Sequence, residues 1–191
     1  MNNSGISPII VLFSNRQIVK LKIIFTGSES TAKTTISEQL AKQLGFAHMA
    51  EFARSYINKL QGKTYTYEDV IAIAEKQREI EEMAAKNEQI TLFDTDMLTL
   101  KIWLQYYGWP LPNWMNDFIE KHQADLYLLM QPDIAWHPDP QRQTPHDREK
   151  LFAIYENELQ QLNANYRIIS GVGETRVENC RRAIEDFLTH R

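Results

Sequence analysis

The chain has 191 residues, a formal charge of −4, and 43% apolar against 24% charged residues. That length suits one α/β domain with a full core, and the acidic balance argues against a broad nucleic-acid footprint, so no nucleic-acid partner is expected. A single cysteine, Cys180, excludes an internal disulfide framework and a cysteine-based zinc site, and it fits a reduced, cytoplasmic setting.

No stretch approaches the ~20 apolar residues of a membrane span. Residues 1–19 are rich in Asn and Ser, and their apolar run at 9–13 is too short for a secretory core. They read as a loose leader before a single domain over 20–191.

Leu21-Lys22-Ile23-Ile24-Phe25-Thr26 is a β-rich run that stops at Gly27. Apolar residues at Ile36, Leu40, Ala41 and Leu44 then follow helical spacing, with Gly45 placed as a C-cap. A short strand is expected over 46–50, then helices over 51–60 and 67–88, the second opened by Thr66. Ile90-Thr91-Leu92-Phe93-Asp94 is a third strand ending in acids. Helices follow over 96–107 and 113–123, separated by Pro110 and Pro112. A buried-type strand over 126–130 leads into a polar, proline-rich loop over 132–145. A helix over 147–163, a strand over 166–170 and a helix over 175–189 close the chain. Strands alternating with helices predict a parallel sheet of about five strands with helices on both faces, a three-layer α/β fold. Ligands of such sheets bind at the carboxyl ends of the strands, where the polar motifs of this chain fall.

The first such motif is Gly27-Ser28-Glu29-Ser30-Thr31-Ala32-Lys33-Thr34-Thr35, between a strand and a helix. It follows G-x-x-x-x-G-K-[ST], whose backbone amides wrap the phosphates of ATP, whose lysine reaches the outer phosphates and whose hydroxyl holds Mg²⁺. This is a P-loop. Ala32 stands where the pattern has its second glycine; if that residue needs a positive φ, alanine costs roughly 1 kcal/mol. The alternative is a Ser/Thr-rich turn with Lys33 as a solvated charge.

P-loop proteins carry an acid near the Mg²⁺ at the end of another strand. Asp94 is the candidate catalytic base or anchor of the metal's water, and Asp96 a substrate contact or the cap of the next helix. Two residues apart, they point to the same side if the strand continues.

These stretches resemble the nicotinamide riboside kinase domain of the NadR-like P-loop family. The resemblance is carried by 26–35, Glu51-Phe52-Ala53-Arg54-Ser55-Tyr56, Leu92-Phe93-Asp94-Thr95-Asp96, Asp133-Ile134-Ala135-Trp136 and Ile169-Ser170-Gly171. It implies a nucleoside-monophosphate-kinase-like core in which ATP phosphorylates the 5′-hydroxyl of a ribonucleoside, a small-molecule substrate. Glu51 and Arg54 would bind that nucleoside; they could equally form a surface i, i+3 ion pair. The lid would lie at about 132–150, with Arg142 closing over the phosphates and Arg148 as the second choice. Trp103, Tyr106, Tyr107, Trp109 and Trp114 could stack on a nicotinamide ring or form core, and Tyr56 and Trp136 lie nearer the expected acceptor pocket. Rival readings are a kinase for another nucleoside and an ATP-binding regulatory or ATPase module. The sequence does not reveal the oligomeric state.

Overall fold

The computed structural model describes residues 20–61, 64–87, 89–139 and 144–191. The expected leader and Arg142 lie outside the described residues.

Five strands form one parallel sheet: β1 (Leu21–Thr26), β2 (Ala47–Met49), β3 (Ile90–Asp94), β4 (Leu126–Met130) and β5 (Tyr166–Ile169), in the order β2-β3-β1-β4-β5. Seven helices connect them among the described residues: α1 (Lys33–Leu44), α2 (Phe52–Lys59), α3 (Tyr67–Ala84), α4 (Met97–Tyr106), α5 (Asn113–Lys121), α6 (Arg148–Gln161) and α7 (Glu174–Thr189). None is long and apolar enough to cross a membrane.

The central strands β3 and β4 are buried along their whole length, and they read as mainly apolar runs. Leu21, Ile23 and Phe25 of β1 meet α1 and α7, while Ile24 meets α4 and α6. This is the two-residue alternation of a strand shared between two layers. On α1, Ile36, Leu40 and Leu44 form the buried stripe, each contributing roughly 1.5–3 kcal/mol when fully removed from water. Gly45 ends that helix in the left-handed region, its N–H bonded to the Ala41 carbonyl. Thr66 opens α3 with a reciprocal capping box to Asp69. A separate cluster of α2, α3, α4 and α5 packs beside the sheet.

Phe25 pairs with Asp94, and Thr26 with Leu129. The carboxyl ends of β1, β3 and β4 therefore meet at one edge, where the phosphate loop begins.

Candidate active site

Gly27 leaves β1 with φ 121°, and a Cβ there would lie 2.9 Å from the Met130 carbonyl oxygen. Both the backbone angle and the space demand glycine. Ser30 (φ 57°) and Ala32 (φ 66°) also take the left-handed region, so the turn does require the conformation that glycine supplies at Ala32 in the motif. The helix begins at the next residue, Lys33.

The loop is held from within and from outside. Lys33 Nζ donates to the carbonyls of Gly27 and Ser28, each at 2.8 Å, and Thr31 Oγ1 donates to the Ser28 carbonyl at 2.9 Å. The chain beyond β4 also reaches it. His137 N–H donates to Ser30 Oγ, and Arg148 to the Ser30 carbonyl. Thr144 donates to Glu29 through both its N–H (3.1 Å) and its hydroxyl (2.8 Å). Arg148 additionally lies over the Trp136 ring at 5.8 Å. The structure thus brings Arg148, the second-choice arginine, onto the loop.

A cavity of about 240 Å³ opens beside it. Residues 27–35 form one wall, and Glu51, Arg54, Tyr65, Trp103 and Tyr107 stand among those of the other. Thr95 just after β3, Thr99 and Tyr106 on α4 and Tyr155 on α6 also line it. The expected aromatic stripe divides accordingly. Trp103, Tyr106 and Tyr107 face the cavity, whereas Trp109 packs on Tyr67 and Tyr107, and Trp114 on Phe118 beneath Arg78. Tyr56 is turned away and donates to Asp69.

Asp94 is 2% exposed, and neither carboxylate oxygen has a hydrogen-bond partner among the described residues. The hydroxyls of Thr26 and Ser28 are buried and without a hydrogen-bond partner in the same sense. Leaving such groups unmade costs about 1–3 kcal/mol each, more for a charge. The Asp94 carboxylate and the Thr34 hydroxyl offer oxygen ligands of the kind that would hold a hard cation, and the unpartnered Asp94 oxygens fit that role. Loop amides at the start of α1 fit a polyphosphate in the same way.

Glu51 is the N-cap of α2, yet its side chain makes no capping bond. Its pKa is pushed up to about 7, first by burial and then by the Asp94 carboxylate, against the pull of Lys33 and Arg54. Arg54 pairs with Asp139 at 3.0 Å, bridging α2 to the segment after β4. A surface pairing with Glu51 is therefore not its only engagement.

Asp96 departs from expectation. The strand ends at Asp94, and Thr95 turns back with φ 72° while its N–H bonds to the Phe25 carbonyl. Alternation is broken there, and Asp96 falls on the opposite layer, 3% exposed at the N-cap of α4. Burial, and then the neighbouring Glu81, push its pKa up, opposed by Lys22. Neither acid lines the cavity, although Thr95 between them does; Asp94 lies close enough to raise the Glu51 pKa, whereas Asp96 sits with Glu81 and Lys22.

Two site residues escaped the sequence reading. Tyr65 stacks on Trp103 with centroids 6.0 Å apart, and its hydroxyl lies 2.7 Å from that of Tyr107. Its signal was its place just before the Thr66 cap, where an apolar residue staples the helix start. Arg176 bonds the phosphate loop from α7. Its signal was a cation in the first turn of a helix, where the macrodipole disfavours it.

Solved structures similar in fold include two of NadR and one of a deoxyadenosine kinase. NadR in complex with NR is 19% identical, with a TM-score of 0.71 over 90% of this chain and 52% of that one. NadR in complex with NAD and AMP-PNP is 20% identical, with a TM-score of 0.72 over 90% of this chain and 50% of that one. This chain thus spans about half the length of those NadR structures. Deoxyadenosine kinase from M. mycoides, with products dCMP and dCDP bound, is 17% identical, with a TM-score of 0.66 over 87% of this chain and 100% of that one. No curated protein matches. The AAA_28 family (AAA domain) matches residues 22–176, and with its parallel five-stranded sheet and phosphate loop the chain belongs to that family, in a nucleoside-kinase-like P-loop fold.

Proposed function

We propose that the protein is an ATP- and Mg²⁺-dependent kinase that phosphorylates the 5′-hydroxyl of a ribonucleoside, with nicotinamide riboside the favoured acceptor. The observation that carries this is a cavity with the phosphate loop on one wall and Glu51, Arg54 and an aromatic cluster on the other. A triphosphate and a nucleoside sharing that space would meet beside Glu51 and Thr95, with Asp94 buried next to that lining. The fold similarity to NadR bound to NR supports the acceptor, and so does the chemistry of the wall. A positively charged pyridinium ring suits the faces of Tyr65, Trp103 and Tyr107.

In this mechanism Lys33 and the loop amides hold the donor phosphates, and Thr34 and Asp94 hold the metal. Bound Mg²⁺ supplies charge neutralisation at the transferring phosphoryl group. Glu51 accepts hydrogen bonds from ribose hydroxyls, which orients the 5′-hydroxyl. That oxygen attacks the γ-phosphorus, its proton passes to Asp94, and the bond to the β–γ bridging oxygen breaks to release ADP. Arg148 braces the loop, while Arg142 is proposed to close over the phosphates. Positioning and electrostatics account for most of the acceleration in such a transfer.

A panel of nucleosides with Mg-ATP, read by ADP release, tests the reading. Nicotinamide riboside should give the highest kcat/KM. Strong preference for another nucleoside would move the acceptor assignment, and acceptor-independent hydrolysis alone would favour the ATPase alternative. A folded Lys33→Ala variant that kept near-full activity would sink the mechanism.

A further inference from the structure

Arg176 takes no part in the mechanism above, yet it is 1% exposed and its guanidinium is engaged in three directions. Nε donates to the Gly171 carbonyl at 2.6 Å, Nη1 to the Thr31 carbonyl at 3.1 Å, and Nη2 to the Gln131 carbonyl at 2.9 Å. Its charge is matched by the Asp133 carboxylate, which in turn accepts from the Gly171 N–H at 2.7 Å. One side chain thereby joins the phosphate loop, the end of β4 and the turn after β5.

The bond to Thr31 matters most. A trans peptide is planar, so its C=O and the next N–H point opposite ways. Drawing the Thr31 carbonyl outward onto Arg176 directs the Ala32 N–H inward, toward the cavity that Ala32 lines. Ala32, like Ser30 in the same loop, holds a left-handed backbone without being glycine, a conformation that persists only where its surroundings over-determine it. The guanidinium is the group that grips this peptide from behind.

We propose that Arg176 is a positioning residue for the donor nucleotide: it fixes the Thr31–Ala32 peptide so that the Ala32 N–H is presented to the phosphates. The inference rests on the kinase reading for the identity of the ligand. Its geometry explains why arginine stands in the first turn of α7, where a cation is disfavoured. Three carbonyls arranged around a flat fork suit a guanidinium and not the single point of an ammonium. Lysine would keep the charge for Asp133 and lose the fork.

The test is calorimetric titration of the full chain with Mg²⁺ and AMP-PNP, beside the KM for nicotinamide riboside. Arg176→Lys, checked as folded by circular dichroism, should weaken AMP-PNP binding by roughly tenfold or more while the acceptor KM stays near wild type. Arg176→Ala should do the same, and millimolar guanidinium chloride should restore part of its AMP-PNP affinity. A merely structural brace would instead lower thermal stability and leave the affinity of the folded fraction unchanged. Folded Arg176→Lys that binds AMP-PNP within about twofold of wild type overturns the inference alone, as does equal loss of both ligands. Wild-type protein that takes up no AMP-PNP overturns the kinase reading and this inference together.

Discussion

Asp94 and Asp96 stand two positions apart and face opposite layers of the sheet, because Thr95 between them turns through φ 72°. A β-branched residue rarely adopts that angle, and such strain concentrates at functional sites. The turn separates two buried acids that a continued strand would have set side by side. Asp94 faces the phosphate-loop side with unmade hydrogen bonds, and Asp96 joins Lys22 and Glu81 beneath α4.

The two asparagine variants should therefore diverge. Asp94→Asn should lower kcat by about 10²–10⁴ with little loss of thermal stability, since a neutral amide is easier to bury than an unpaired carboxylate. Asp96→Asn should leave kcat near wild type and act on Tm instead. Equal losses of kcat in the two variants would show that both acids serve the reaction and that the Thr95 turn does not divide them.

Much of this was legible in the sequence, for identifiable reasons. The phosphate loop, the strands and the helix starts are local, and Gly27, Gly45 and Thr66 mark them by backbone demands that few other residues meet. The facing of Asp96 was not legible, because a single residue with positive φ resets the alternation and threonine gives no sign of it. Arg176 was missed for a different reason. Its partners Thr31, Gln131 and Asp133 are 145, 45 and 43 positions away, and nothing in the sequence pattern joins them before the fold does.

Ala32 offers a direct test of the loop. Glycine relieves the left-handed backbone by roughly 1–2 kcal/mol but gives the unfolded chain more freedom, worth about 0.4–1 kcal/mol. Ala32→Gly should therefore change stability little and preserve or improve Mg-ATP binding. Severe loss of binding by titration would mean that the loop is shaped for another ligand.

The aromatic wall predicts acceptor choice. Stacking of a cationic ring on an aromatic face contributes about 0.5–2 kcal/mol, so Trp103→Leu should raise the KM for nicotinamide riboside by roughly 2- to 30-fold. Neutral nucleosides should suffer less, and the KM for ATP should not move. Parallel losses for charged and neutral acceptors would assign Trp103 to packing with Tyr65 and not to recognition of charge.

Glu51 ties function to stability through pH. Its pKa rises from 4.5 to about 7 on folding, so between those values the folded state holds a proton that the unfolded state has released. Stability must then fall as pH rises through that window, by roughly 2–3 kcal/mol in total after allowance for partial solvent screening. Gln cannot ionise, and the side chain makes no capping bond whose loss would complicate the comparison. The Tm of Glu51→Gln should match wild type near pH 4.5 and exceed it increasingly up to pH 7. Activity should move the other way. The ionised carboxylate accepts the ribose hydroxyls, so wild-type kcat/KM for the acceptor should climb with pH as Glu51 ionises, and the variant should lack that limb. Denaturation curves that stay parallel across the window would show that Glu51 is not held protonated by burial and Asp94. A variant with an unchanged acceptor KM would remove Glu51 from the binding site.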